Sequence, residues 1–322
     1  LNERDRKIMH ILVTGAGGFV GSLLSRRLLD DAALAHTSVT LLDMSIESTS
    51  FPNARIINGS LSDESVLRDA FADGVDTVYH LASVPGGAAE RDPELGSSVN
   101  LHGTLRLIEM SAAQAAPARF VFASSIAVYG ETFPAPMNEG ASAKPATSYG
   151  AHKLIAEIAL SDAIRRGKLT GCSLRLPGVV ARPPGPSGLV SAFMSDIFWA
   201  LRDGRQITIP VSSKATGWWI SRLQCVENLI HAGTVGSSTL RASTYQMPVL
   251  HLSIRQVLEA LSVRFDVDWS DLVRFEPNPP VEALFGSYPA FSTQEAECAG
   301  FRSDGTVQQL LARVVDHESE KA

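Results

Sequence analysis

Ile11-Leu12-Val13 is a short unbroken apolar run that stops at a cluster of glycines. A run of that kind reads as a strand buried on both faces, unlike the alternation of a half-exposed strand. Over 19–29 the apolar residues recur at Val20, Leu23, Leu24 and Leu28 with Arg26 and Arg27 between them, a helical period that Asp30-Asp31 ends. The next apolar run, 39–42, closes a strand-helix-strand unit at Asp43. The same alternation predicts strands at 55–57, 77–81, 119–123 and 172–176, with helices at 65–71, 94–115 and 149–166 between them. Helices placed between short apolar strands force parallel pairing through crossovers, so the expected fold is α/β, a Rossmann-type doubly wound parallel sheet.

Beyond Pro177 the pattern changes. Arg182-Pro-Pro-Gly-Pro-Ser-Gly188 can continue neither a sheet nor a helix and marks a loop or a border. Shorter helices are predicted at 189–201, 225–231 and 254–261 among isolated strands. The expectation is a dinucleotide-binding domain over 9–176 and a smaller, partly helical C-terminal substrate domain over 177–322, with segments returning to the first.

Composition narrows the class. Of the 322 residues, 45% are apolar and 19% charged, a profile that supplies a substantial core. A net charge of -6 gives no electrostatic footprint for a phosphate backbone, so no nucleic-acid partner is expected. Cys172, Cys225 and Cys298 have neither metal-ligand spacing nor an even count, which points to a reducing cytoplasm and to no metal site. No apolar run is long enough for a membrane span. The polar segment 1–7 reads as a frayed extension, with a native start at Met9.

Chemistry enters at Thr14-Gly15-Ala16-Gly17-Gly18-Phe19-Val20-Gly21. Gly15, Gly18 and Gly21 follow a strand and open a helix, where glycines serve a tight turn, close approach to a pyrophosphate and helix-on-sheet packing. Phosphates would lie on the helix N-terminus. A plain strand-turn-helix junction is the competing reading. Asp43, ending the next strand, stands where an acid accepts from the adenosine ribose, and Met44-Ser45-Ile46 offers no cation for a ribose phosphate. That favours NAD over NADP; a capping or solvated Asp is the alternative.

Tyr149 and Lys153 are four residues apart at the start of a helical stretch, which stacks them on one face. A phenol is a poor base near neutrality, and a nearby ammonium favours its ionised form, able to accept the proton of a substrate hydroxyl. A surface pair is the bland alternative. Ser124 and Ser125 end the strand at 119–123, where doubly wound sheets bind ligands; a Ser there holds a substrate oxygen, or else bonds its own turn.

Five motifs then occur in order: Thr14-Gly-x-x-Gly-x-x-Gly21, His80-Leu-Ala82, Asn100 in Val-Asn-Leu-His-Gly-Thr, Ser124-Ser-x-x-Val-Tyr-Gly130 and Tyr149-x-x-x-Lys153. Over about 9–180 the chain resembles the extended short-chain dehydrogenase/reductase family, of NAD-dependent epimerase/dehydratase type. The resemblance implies Ser125 as the catalytic Ser with Ser124 in support, Tyr149 as acid/base, and Lys153 binding the nicotinamide ribose while lowering the Tyr pKa. It also implies that Phe19, Val20, Leu81, Ala82, Ser83 and Asn100 line the cofactor path and that Pro177-Gly178-Val179 meets the carboxamide. Ser60 stands where many members have an Asp touching adenine; Leu61 can still pack there, and Asp63 is a candidate stand-in.

Within that family, Leu174-Arg-Leu-Pro-Gly-Val-Val-Ala-Arg-Pro183 and the segment 221–232 look most like the D-erythronate dehydrogenase branch, whose members oxidise a hydroxyl beside a small sugar acid's carboxylate. Gly185 and Ser221-Arg222-Leu223 depart from the branch pattern, so cations suited to that carboxylate are lost or shifted by one place. Trp218 and Trp219 supply stacking faces for a bulkier substrate, or else serve a core and an interface. Candidate substrate contacts are therefore Ser83, Ser125, Ile126, Arg182, Trp218, Trp219 and Arg222. His80, His102 and His152 have no metal partners beside them and read as structural or solvated.

The leading expectation is reversible hydride transfer between NAD and a secondary alcohol. A nucleotide-sugar epimerase or dehydratase that keeps its NAD is the second reading, and a noncatalytic NAD-binding protein the third, against which Ser125, Tyr149 and Lys153 argue. Helices 94–115 and 149–166 resemble those that pair in family dimers, so a homodimer is expected.

Overall fold

The computed structural model describes residues 9–32, 37–185 and 190–319; the expectations for 1–7, Ser187, Gly188 and Leu189 fall outside the described residues. The first half runs β1 (Met9–Thr14), α1 (Phe19–Asp30), β2 (Thr37–Asp43), β3 (Arg55–Asn58), α2 (Glu64–Ala70), β4 (Thr77–His80), α3 (Gly86–Arg91), α4 (Pro93–Gly96), α5 (Thr104–Ala112), β5 (Ala118–Ser125), β6 (Met137–Asn138), α6 (Ser148–Arg165) and β7 (Leu169–Leu176). The second half adds β8 (Gly178–Val180), α7 (Phe193–Arg202), β9 (Ile207–Ile209), β10 (Thr216–Ser221), α8 (Arg222–Thr234), β11 (Thr244–Gln246), β12 (Leu250–Ser253) and α9 (Ile254–Phe265). It ends with α10 (Trp269–Leu272), β13 (Val273–Phe275), α11 (Pro279–Phe285), β14 (Phe291–Ser292), α12 (Gln294–Cys298) and α13 (Val307–Ser319).

Seven strands form one sheet in the order β11-β7-β5-β4-β1-β2-β3, and every pairing in it is parallel. The chain winds outward from β1 to β3, then returns to β4 on the other side of β1. That reversal opens a crevice at the carboxyl ends of β1 and β4, where doubly wound sheets take their ligands. Each strand alternates its side chains between two cores. Leu12, Phe120 and Phe122 face α6 on one side, while Val13, Val121 and Leu174 face the α1 and α8 side.

The second half does not stay apart from the sheet. β11 pairs with β7, and Cys225, Val226 and Leu229 of α8 lie in the same buried cluster as Leu23 and Leu24 of α1. A separate core, built from Phe193, Ile197, Phe198, Trp219, Val257 and Leu310 among others, forms a smaller lobe beside β8, β10 and β12.

The expected helix over 94–115 needs correction. It is three segments: α4, a π-helical stretch at Ser97–Gly103, and α5, which ends at Ala112. Wider i→i+5 turns of this kind recur at functional sites. Here it accompanies the inward turn of Asn100, whose side-chain amide accepts from Val84 N at 2.7 Å and donates to Val84 O at 2.9 Å. Among the described residues no helix is long and apolar enough to cross a membrane, and Cys172, Cys225 and Cys298 are free thiols.

Candidate active site

The crevice is lined first by the glycine turn. Gly15 has φ +73°, a conformation that favours glycine, and a Cβ there would sit 2.5 Å from Ala82 N. A Cβ on Gly21 would lie 2.0 Å from Gly15 O, so the start of α1 packs directly on the end of β1. Gly18 is the N-cap residue of α1 and supplies no side-chain cap. The first-turn amides, those of Phe19 and Val20, are thus left for a ligand, on the positive end of the helix dipole.

Asp43, at the carboxyl end of β2, leans over this turn. Its Oδ2 accepts from Gly17 N at 2.8 Å and its Oδ1 from Met44 N at 2.7 Å. Leu61 is buried against Gly103, and Ser60 Oγ bonds Ser62 Oγ at 2.8 Å. Asp63 caps α2, its Oδ1 accepting from Ser65 N at 2.8 Å and from Ser65 Oγ at 2.7 Å. A short carboxylate fits that capping role well.

Leu81, Ala82 and Ser83 follow β4 along the crevice. Leu81 N donates to Thr14 O at 3.0 Å, and the Asn100 clamp on Val84 fixes the next residue. Beneath them His80 is fully buried, its Nδ1 2.7 Å from Thr14 Oγ1 and its Nε2 2.8 Å from Thr104 Oγ1. Burial, reinforced by the Lys153 charge, pushes its pKa well below the usual imidazole value, so it is a neutral strut.

The catalytic candidates meet where β5 ends against α6. Thr147 caps α6 by accepting from Gly150 N at 3.1 Å, which fixes Tyr149 and Lys153 within the first two turns. The Ser83 and Ser125 hydroxyls lie near enough to the Tyr149 phenol to lower its pKa, and Ser125 Oγ also accepts from Ala127 N of its own turn at 3.1 Å. Burial raises the phenol's pKa, and those two hydroxyls oppose the rise. One turn along, Lys153 is buried, donates to Ala123 O at 2.7 Å, and lies 4.7 Å from the Phe122 ring centroid and 5.6 Å from that of Tyr149. Burial pulls its ammonium down to about 7, with Glu157 opposing.

Ser124 does not join this group. Successive strand residues point to opposite faces. Its hydroxyl therefore turns away to donate to Glu157 Oε1 at 2.5 Å. Glu157, at i+8 from Tyr149 on the same helix face, is held by Arg175 through Nη2 to Oε2 at 2.7 Å and Nε to Oε1 at 3.0 Å. This buried network was missed in the sequence, although the 149-153-157 spacing was there to read.

Pro177 is buried and Val179 partly so, at the turn from β7 into β8, which pairs with β10 at Val179 and Ile220. Ile126 is half-buried where β5 turns into the short helical segment Ile126–Tyr129. Trp218 and Trp219 are corrected: both are fully buried and face opposite sides of β10. Trp218 donates to Pro289 O at 2.7 Å within an aromatic cluster with Tyr129, Phe133, Tyr288 and Phe291. Trp219 donates to Leu252 O at 3.1 Å in the small-lobe core. Neither offers a face to a ligand. Arg182 and Arg222 instead converge on Phe19 at the glycine turn, at 4.7 and 4.8 Å from its ring centroid.

Residues 11–220 match the model of the NAD dependent epimerase/dehydratase family. The chain belongs to that family. Along nearly its whole length this epimerase/dehydratase family member is similar to the D-erythronate dehydrogenase of Cupriavidus necator, at 33% identity over 313 residues covering 94% of the chain and 97% of the relative. The D-erythronate dehydrogenase of Haemophilus influenzae is 27% identical over 314 residues, covering 96% and 100%. Among solved structures, a nucleoside-diphosphate-sugar epimerase from Agrobacterium tumefaciens superimposes with a TM-score of 0.90 at 29% identity, over 98% of the chain and 96% of that structure. The glycine turn, the open start of α1 and the Asp43 carboxylate fit the nicotinamide dinucleotide that the family's name implies.

Proposed function

We propose that this family member is an NAD-dependent dehydrogenase that interconverts a secondary alcohol on a small hydroxy acid with its ketone. The observation that carries the reading is the meeting of Tyr149, Ser83 and Ser125 above a buried Lys153. The two D-erythronate dehydrogenase relatives, matched over nearly their full lengths, support a sugar-acid substrate. Bound in the crevice, the nicotinamide supplies the two-electron acceptor for hydride. Ser125 holds the substrate oxygen, Tyr149 accepts the hydroxyl proton as the C–H bond gives up hydride, and Lys153, one turn along, would hold the nicotinamide ribose. In the reductive direction Tyr149 returns the proton to the forming alkoxide.

NADH formation at 340 nm, measured across a panel of small hydroxy acids, aromatic alcohols and nucleotide sugars, tests the reading. Net NADH from a hydroxy acid is the expected result. NAD that stays with the purified protein, with no net NADH and an interconverted nucleotide sugar, would establish the epimerase reading instead.

NAD is the preferred cofactor. The Asp43 carboxylate is fixed by two amides, and a ribose phosphate there would meet like charge with no cation at Met44 to Ile46. Asp43→Ala combined with Met44→Arg is expected to shift the NADP/NAD ratio of kcat/KM upward by about tenfold or more, the scale of one charged contact. An unchanged ratio would remove Asp43 from the ribose. The chain works as a homodimer in the reducing cytoplasm: Ile155 and Ile158 are exposed on α6, and light scattering at twice the chain mass is the outcome that supports the pairing.

A further inference from the structure

The carboxyl end of β8 leads to a feature that proton transfer does not use. Arg182 is half-buried, and among the described residues its guanidinium has neither a carboxylate nor a hydrogen-bond partner. Its main chain is locked in place, its N–H donating to Ser195 Oγ at 2.9 Å and its carbonyl accepting from Trp199 Nε1 at 2.5 Å. The side chain crosses from the smaller lobe to lie over Phe19, the first residue of α1. Arg222, from the start of α8, reaches the same ring and donates from Nη2 to Ser22 Oγ at 2.7 Å. Withdrawing a cation from water without a counter-charge is costly, and such groups in proteins are ordinarily paired. Burial alone already lowers the Arg182 pKa.

We propose that Arg182 and Arg222 close over the diphosphate of the bound dinucleotide, holding it from the side opposite the amides of the glycine turn. The inference rests on the dinucleotide reading given above. A diphosphate seated on the Phe19 and Val20 amides lies beside the Phe19 ring, and so beside both guanidiniums. The planar guanidinium fork suits two phosphate oxygens at once, which a lysine cannot match. The Phe19 ring keeps water from one side of the pair and strengthens each charge contact. Arg182 belongs to the segment after β8 and α1 to the main sheet, so the diphosphate ties the two lobes together and the cofactor itself completes the crevice. A small acid's carboxylate is the competing occupant. Asp43 lies on the ribose side of the turn, with its carboxylate committed to Gly17 and Met44, and does not compete for the arginines.

The test is titration of the full-length protein with NAD, ADP and adenosine, followed by calorimetry and by tryptophan fluorescence, to which Trp199 at the Arg182 carbonyl contributes. Arg182→Met and Arg222→Met keep the apolar stem and remove the charge. Each is expected to weaken NAD and ADP binding by about tenfold or more while leaving adenosine binding unchanged, the scale of a lost charged hydrogen bond. The wild-type affinity for ADP is expected to fall more steeply with salt than that of either variant. Should a Met variant fail to fold, Arg182→Lys carries the test: it keeps the charge without the fork, and a severalfold loss confined to NAD and ADP is its expected result. Unchanged NAD and ADP affinities, with a raised KM for the alcohol, would overturn the clamp and give Arg182 to the substrate. A wild-type protein that binds adenosine but neither NAD nor ADP would overturn the clamp and the dinucleotide reading together.

Discussion

Tyr149→Phe is expected to lower kcat for alcohol oxidation by about 10²–10⁴-fold, the range of a lost general acid or base. NAD affinity should stay within about twofold of wild type, since the change removes one hydroxyl and leaves the ring and helix in place. The phenol lies close enough to the Ser83 and Ser125 hydroxyls for both to lower its pKa. Because burial raises its pKa, the phenol is protonated at neutral pH in the free protein. Oxidation needs the ionised form and ketone reduction the protonated one, so oxidation should rise with pH while reduction falls. Steady-state pH profiles in both directions check this; a flat oxidation profile in the wild type, or wild-type turnover in the Phe variant, would remove Tyr149 from the chemistry.

Lys153→Met is expected to abolish useful activity, by at least about 10²-fold, and at the same time to stabilise the protein. An ammonium buried beside the Phe122 and Tyr149 rings works against folding. Its folded-state pKa, about 7, lies below the ordinary lysine value of 10.5. The unfolded chain therefore binds more protons than the folded one between those values, and wild-type stability should rise as pH increases through that window. A Met side chain fills similar volume without the charge, and the lost donor to Ala123 O is a smaller effect than the removed desolvation. A gain of roughly 1–2 kcal/mol near pH 7 is expected, shrinking toward pH 10. Denaturant midpoints at both pH values measure it; a variant less stable than wild type at pH 7 would show that the ammonium is well paired in the folded chain.

The parts of this site that were legible in the sequence are the local ones. Gly15, Gly18 and Gly21 could be read because a glycine turn must bridge an apolar run and a helical period, and Asp43 because it closes the next run. Tyr149 and Lys153 could be read because four residues are one helical turn. What escaped depends on geometry that a periodicity does not carry. The π-helical stretch around Asn100 keeps helical composition while changing pitch, so it looks like plain helix in the sequence. The adjacent Trp218 and Trp219 read in the sequence either as stacking faces for a substrate or as core and interface residues, and the sequence alone does not choose between them. Once their segment is a strand, adjacent residues must face opposite cores, and both are buried. The same alternation separates Ser124 from Ser125 and was available beforehand. Glu157 and Arg175 are 18 residues apart in the chain, and Arg182 and Arg222 lie far from Phe19; only the folded sheet brings them together.

A crystal structure of the wild-type protein with NAD bears most directly on the central claim. The expected density places the diphosphate on the glycine turn, the adenosine ribose against Asp43, and the nicotinamide ribose within hydrogen-bonding distance of Tyr149 and Lys153. A dinucleotide seated elsewhere, or Tyr149 and Lys153 turned into different solvent regions with the nicotinamide facing neither, would contradict it.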